Sequence, residues 1–414
     1  MRRVHSPSRL RAAKRERFDA MSFSPAIQRL ILILAVSGFA STFAGRSLEP
    51  LVGVIARDLS SDPRTVALLA TAFALPYAFI QPILGPVGDA IGKERIFPIC
   101  LGMLAAAMAL CAVAPSTEVL FALRILAGMA AGGVIPMSLG LVGDRVDMGS
   151  RQVAISRFLA AVILGQLAGS SVAGFLAEWV GWRGVFILAA GLTAAAAVGA
   201  LFGFEKPARP PGRLSVAEAL ARYRRVITNR RARFLYAFVF IDGIAFFGLF
   251  PYIAPALEIR GEGGPFEAGL VLAGFAVGGL VYSALVTWLL RALGLGRMFA
   301  FGGLIGGGAL FGMALQPGWI LDLALMVALG LSFYMLHNSY QTQVTEVVPD
   351  ARASAVALHA FSFFVGQALG VALFGAAIGT LGWGSTLAMA GAAIVALGLV
   401  SAWILVGQSH GRAR

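Results

Sequence analysis

Apolar runs of about 20 residues, separated by short polar or charged turns, recur from Leu30 to Val406. As a helix rising 1.5 Å per residue, a run of that length crosses roughly 30 Å of hydrocarbon. Twelve such spans can be drawn, at 30–57, 65–89, 96–114, 118–143, 153–178, 184–204, 234–258, 267–290, 298–315, 319–344, 353–379 and 385–407. The pattern predicts an all-α membrane protein of twelve transmembrane helices. Pro50, Pro76, Pro82, Pro136 and Pro251 fall inside spans and predict kinks whose freed backbone groups neighbouring helices satisfy.

One interruption is of a different kind. Residues 205–233 are polar, basic and proline-rich (Pro207, Pro210, Pro211), and they separate two blocks of six spans. The blocks align at an offset of about 201 residues: Gly165-Gln166, Gly169 and Gly174 fall on Gly366-Gln367, Gly370 and Gly375. Gly181-Trp182 falls on Gly382-Trp383, and Ala44, Leu48 and Pro50 fall on Ala245, Leu249 and Pro251. The expected organisation is a basic tail (1–29), a six-helix bundle (30–204), a cytoplasmic loop (205–233), a second six-helix bundle (234–407) and a short tail (408–414). Two pseudo-symmetric bundles of this kind enclose a central cavity near the midplane, with one half rocking against the other.

Composition agrees. Only 13% of the 414 residues are charged and 58% are hydrophobic, against about 25% charged in a soluble domain. The only cysteines, Cys100 and Cys111, fall in one span, so no disulfide framework is expected. The net charge of +13 would suggest nucleic-acid binding in a soluble chain, but its distribution gives another reading. With the amino end inside, the tail carries eight Lys or Arg and the central loop nine, whereas the opposite face has Arg57, Arg64, Arg183 and Arg260. The positive-inside rule then places both termini in the cytoplasm and the chain in the cytoplasmic (inner) membrane. The tail before Leu30 lacks a signal-peptide pattern and is expected to fix topology and touch anionic lipid. No phosphate-binding glycine loop followed by lysine and serine occurs, and no His or Cys cluster has metal spacing, so neither an enzyme nor a cofactor is expected. The expected partners are a lipid bilayer, protons and a small organic substrate, with no nucleic acid and with the monomer as the working unit.

Between spans 2 and 3 the chain reads Gly85-Pro86-Val87-Gly88-Asp89-Ala90-Ile91-Gly92-Lys93-Glu94-Arg95. Gly85, Asp89, Gly92, Lys93 and Arg95 resemble the cytoplasmic signature of the major facilitator superfamily, while Ala90 and Glu94 depart from it. Arg124-Ile125-Leu126-Ala127-Gly128 resembles the arginine–glycine motif of proton-coupled members. Gly165, Gly169 and Gly174 resemble the glycine motif of antiporters, with Ser170 where that motif has proline. The resemblance covers residues 28–407 and implies a secondary transporter working by alternating access, in the manner of the proton-coupled drug and metabolite efflux permeases. It implies a latch in which Asp89 faces the positive end of a neighbouring helix, span 11, and Lys93 and Arg95 pair with Asp144 or Asp147. Uptake by proton symport and a non-transporting sensor are the competing readings.

Intramembrane charges are costly and so mark candidate chemistry. Counted from the span ends, Glu49 and Arg124 both lie roughly 10 Å below the outer face, and Arg46 reaches Glu49 at i, i+3. These three, with Asn338, Tyr340 and Gln341, are the expected cavity residues. Asp242, His337 and His359 lie about 10–12 Å from the cytoplasmic face and form a candidate proton relay, since imidazole titrates near neutral pH. The charged residues break the repeat: Glu49 aligns with Phe250, Arg124 with Met326 and Asp242 with Ser41. Chemistry has been added to each half separately.

Overall fold

Hydrocarbon offers no partner to a backbone amide, so each apolar run must satisfy its own hydrogen bonds as a helix. A computed structural model of the chain describes residues 23–204, 216–348 and 351–406, apart from the side chains at 85, 86, 89, 148, 149, 152, 216, 219, 352, 353 and 406. The first half comprises α1 (Pro25–Arg46), α2 (Val52–Asp58), α3 (Pro63–Ile91), α4 (Lys93–Ala112), α5 (Thr117–Ala131), α6 (Val134–Arg145) and α7 (Met148–Gly203). The second comprises α8 (Val216–Thr228), α9 (Arg230–Phe247), α10 (Ile253–Arg260), α11 (Pro265–Ala314), α12 (Trp319–Val347), α13 (Arg352–Leu381) and α14 (Trp383–Ser401).

Among the described residues, ten helical segments are long and apolar enough to cross a membrane. Two of them are far longer than one crossing needs: α7 has 56 residues and α11 has 50. Each holds two helices that meet at a glycine, Gly181 (φ 68°, ψ 172°) or Gly294 (φ 66°, ψ 172°). That backbone conformation is essentially reserved for glycine. The described part of the central segment is helical: α8 spans Val216–Thr228 and α9 starts at Arg230. Asn229 makes the second of these starts possible, its Oδ1 accepting from the amides of Arg231 and Ala232.

The 201-residue offset recurs in three dimensions. Pro50 and Pro251 stop α1 and α9 at matching places, and a 3-10 turn follows in each, Glu49–Leu51 and Phe250–Tyr252. A Cβ on Gly165 would strike the Phe39 carbonyl, and one on Gly366 the Phe240 carbonyl. One step along, a Cβ on Gly169 would lie 2.8 Å from the Phe43 oxygen and one on Gly370 2.7 Å from that of Ile244. Gly174 instead meets Pro265, in the other half. The helix pairs α1–α7 and α9–α13 are therefore in backbone contact along glycine faces, the packing that holds helices together where no hydrophobic force acts between them.

The two halves meet through α3 with α13 and α7 with α11. At the face holding Asp58 they are joined by an Arg57–Glu258 ion pair and by the Phe175 and Phe266 rings, 5.9 Å apart.

Gly366→Val is expected to destabilise the protein by about 1–3 kcal/mol or more, because a backbone carbonyl cannot retreat as a side chain can. Gly102→Ala, with open space around its Cβ position, should be neutral or slightly stabilising. Thermal unfolding of the purified protein in detergent checks both.

Candidate functional site

A cavity of about 320 Å3 lies between the halves. The first half lines it with Arg46, Glu49, Phe73, Tyr77 and Gln166, and the second with Phe247, Phe333, His337, Gln341 and Gln367. The Arg57–Glu258 contact joins the halves at the Asp58 face. Away from it the lining continues to Ile135, Leu159 and Gln341, towards the face that holds Asp144.

At one end, the break at Pro50 sets the chemistry. It ends α1 at Arg46, and the 3-10 turn brings Glu49 back against it, with Arg46 Nη1 2.7 Å from Glu49 Oε1. Ser170 Oγ donates to the other carboxylate oxygen at 3.0 Å. The Arg46 guanidinium also lies over the Phe247 ring at 4.5 Å and points Nη2 at Gln367 Oε1, 3.5 Å away. Arg46 thus ties a first-half carboxylate to second-half rings.

Arg124 is placed otherwise than expected. It does not line the cavity: the side chain is fully buried and donates to the carbonyls of Leu69, Ala44 and Gly45 at 3.4, 3.2 and 3.3 Å, with its guanidinium 4.4 Å from the Phe73 ring centre. Ala44 and Gly45 lie in the last turn of α1, whose carbonyls the early stop leaves without intrahelical partners. Arg124 caps the broken helix, and Glu49 has Arg46 and Ser170 instead. Tyr340 also departs from expectation. It is buried between Phe238 and Phe299, with its hydroxyl 2.7 Å from Ser401 Oγ, and is absent from the lining. Asn338 and Gln341 do line the cavity.

The structure brings the three candidate relay residues together. Asp242 is fully buried, with Oδ2 2.8 Å from His337 Nδ1 and Oδ1 without a partner among the described residues. His337 borders the cavity, sandwiched by Phe333 (4.8 Å) and Phe363 (4.7 Å). His359 packs 5.1 Å from the His337 ring, is 2% exposed, and has both ring nitrogens without partners among the described residues. Asp242 therefore sits behind His337 and meets the cavity through it.

At the Asp144 face, Lys93 Nζ is 2.8 Å from Asp144 Oδ2. Glu94, a departure from the expected signature, has its own partner in Arg145 at 2.8 Å. Gly92 joins α3 to α4 at φ 105°, and Arg95 is exposed. The expectation that Asp89 faces span 11, and that for Gly85, fall on positions whose side chains lie outside the described residues. Among the described residues no cluster of three His, Cys, Asp or Glu could hold a metal.

Four useful residues escaped the sequence reading. Gln166 and Gln367 read as parts of a glycine scaffold, yet both line the cavity. Their signal was a polar side chain recurring at matched positions inside two apolar spans. Ser170 read only as a missing proline, and Glu258 carried no signal without its partner Arg57.

The family model described as Major Facilitator Superfamily matches residues 34–370. The "Uncharacterized MFS-type transporter YwfA" of Bacillus subtilis is 24% identical over 251 residues, 60% of this chain and 61% of that protein. The "Probable actinorhodin transporter" of Streptomyces coelicolor is 30% identical over 161 residues, 38% of this chain and 28% of its own length. The "Quinolone resistance protein NorA" of Staphylococcus aureus is 33% identical over 132 residues, 31% of this chain and 33% of its own. The chain thus matches less than two thirds of the length of these curated relatives. Among solved structures, nucleoside transporter NupG superposes with a TM-score of 0.69 at 16% identity, covering 91% of this chain and 99% of that one. A bacterial homolog to the human lysosomal transporter Spinster, inward-facing and unoccupied, gives 0.67 at 19% identity, covering 92% and 96%.

Arg46→Met strands the Glu49 carboxylate in a nearly closed site and is expected to cost about 3–5 kcal/mol. The double variant Arg46→Met/Glu49→Leu should recover most of that loss, since no lone charge then remains. Thermal unfolding of the three proteins checks the non-additivity.

Proposed function

The chain belongs to the Major Facilitator Superfamily, and on that premise we propose that it exports small organic molecules across the cytoplasmic membrane in exchange for protons, by alternating access. The proposed arrangement has twelve crossings, with α7 and α11 each crossing twice and residues 30–204 and 234–407 forming the moving halves. The basic tails, the 205–233 segment and the Asp144 face lie in the cytoplasm on this reading. The cavity then faces the cytoplasm, with Arg57–Glu258 closing the far side.

The observation that carries the proton reading is the buried Asp242–His337 pair behind the cavity wall. Its proton reaches the cavity through one imidazole, and that imidazole lies between rings an apolar substrate would cover. An apolar substrate against Phe333 and Phe363 would cover the path by which a proton reaches or leaves His337, so substrate and proton would use this face in turn, as exchange requires. His359 extends the relay away from the pair. Arg46, Glu49, Asn338 and Gln341 orient the substrate's polar groups, and the aromatic rings take its apolar body. Export is favoured by the glycine-lined α1–α7 contact, which resembles that of antiporters, and by the likeness to an actinorhodin transporter and a quinolone resistance protein.

In the proposed latch, Lys93–Asp144 and Asp89 hold the cytoplasmic ends of one state. Asp89→Asn is expected to leave the protein inserted while shifting the inward–outward balance and slowing transport. Cysteine labelling of the cavity reads the shift, and unchanged labelling with full activity removes the latch.

A metabolite and drug survey of a deletion strain supplies the substrate for the main test. In proteoliposomes, Asp242→Asn is expected to lose dependence on the pH gradient while substrate binding remains measurable. Uphill, gradient-driven transport surviving in Asp242→Asn would move the proton site to Arg46–Glu49. Accumulation with the proton flow, rather than against it, would make the protein a symporter.

A further inference from the structure

The segment joining the halves contains a helix that the exchange cycle does not use. α8 carries Arg222, Arg224 and Arg225 against a single acidic residue, Glu218. At helical spacing, Leu220, Tyr223, Val226 and Ile227 share one face. One edge of that face is packed against the protein. Val226 is fully buried, and Tyr223 Oη donates to the Pro82 carbonyl of α3 at 3.2 Å. The other edge is open: Leu220 is 62% and Ile227 49% exposed, and Arg224 lies between them, one turn from each.

The surroundings of that open edge indicate what covers it. Pro82 is flanked on α3 by the exposed Phe79 and Ile83, which face lipid in a membrane-embedded bundle. α8 also touches α9 and α13, so it lies at the rim of the lipid-facing surface, across the seam between the halves. A basic helix with an open apolar edge at that level is complementary to a headgroup layer, not to water.

We propose that α8 lies in the interface and binds acidic phospholipid, with Leu220 and Ile227 among the upper acyl carbons and Arg222, Arg224 and Arg225 on the phosphates. Guanidinium forks match phosphate oxygens, and their stems reach past the apolar edge to the headgroups. Through Tyr223 and Pro82 the bound lipid also bears on α3, one of the helices that pack across the seam. The proposal is independent of proton coupling and of the direction of transport.

The test uses the full chain carrying Leu220→Trp in nanodiscs, with the emission of the native tryptophans subtracted. Brominated phosphatidylglycerol should quench the added emission more than brominated phosphatidylcholine. Each arginine near a charged surface is worth roughly a fivefold local enrichment of acidic lipid. Arg222→Gln/Arg224→Gln/Arg225→Gln should therefore bring the two lipids to parity without lowering the thermal midpoint. Excess inorganic phosphate should leave the wild-type preference intact. Equal quenching before the arginines are changed, no quenching by either lipid, a preference that survives the triple change, or displacement by inorganic phosphate each overturns the proposal.

Discussion

Every charge inside a membrane-spanning bundle must be met by another charge, a dipole or an aromatic face, because lipid meets none of them. The way each charge is met separates the three inner sites. Arg124 has three carbonyls and the face of Phe73, which leaves little capacity for anything that comes and goes. Its task is to close the helix end that Pro50 opened. Arg46 and Glu49 compensate each other but remain on the cavity wall, where a polar ligand can compete for them. Among the described residues Asp242 keeps one oxygen unpartnered and His359 both ring nitrogens. Buried hydrogen-bonding capacity left open beside a cavity can take up or release a proton, which is the role proposed for this cluster.

The same requirement explains why the fold was legible in the sequence and parts of the site were not. Span positions follow from apolar length alone, and the glycines at the 201-residue offset sit where matched helix backbones touch, Gly165 on Phe39 and Gly366 on Phe240. Counting residues from a span end gives depth, which correctly put Asp242, His337 and His359 at one level. It gives no azimuth. Tyr340 and Gln341 differ by one residue and about 100° of rotation, and that rotation sends the first into the Phe238–Phe299 packing and the second into the cavity. Arg124 failed for the same reason: it is level with the upper cavity but turned towards the end of α1. Two departures from the family pattern have contacts of their own. Glu94 has Arg145, and Ser170, standing in the place of a proline, supplies the hydroxyl that Glu49 uses.

The scaffold is repeated while the chemistry is not, and this division suits a machine that rocks. Matched 3-10 turns at Pro50 and Pro251 give each half the same bend in its first helix, so both can hinge alike. The bends then serve different ends. In the first half the turn presents Glu49 to Arg46, and in the second the matched position is Phe250, part of the aromatic wall under that arginine. Symmetric geometry thus places a carboxylate opposite a ring, and the Arg46 guanidinium bridges the two.

A bridge of that kind constrains how the halves can separate. Glu49 and Ser170 move with Arg46 because all three belong to the first half, whereas Phe247, Phe250 and Gln367 belong to the second. On the proposed cycle, opening the cavity at this end would exchange the arginine's stacking and its long contact to Gln367 for water and leave its ion pair intact. The charge pair would then travel as a neutral unit, with no lone charge exposed to the apolar wall. His337 has the opposite arrangement. Its carboxylate partner, its ring neighbours and His359 all come from the second half, so the proposed movement would leave the Asp242–His337 contact in place. What changes around it is the space in front, between Phe333 and the first-half wall at Tyr77 and Gln166. On the proposed cycle, rocking would act on the relay by admitting or excluding what lies beside the imidazole, without disturbing the Asp242–His337 contact.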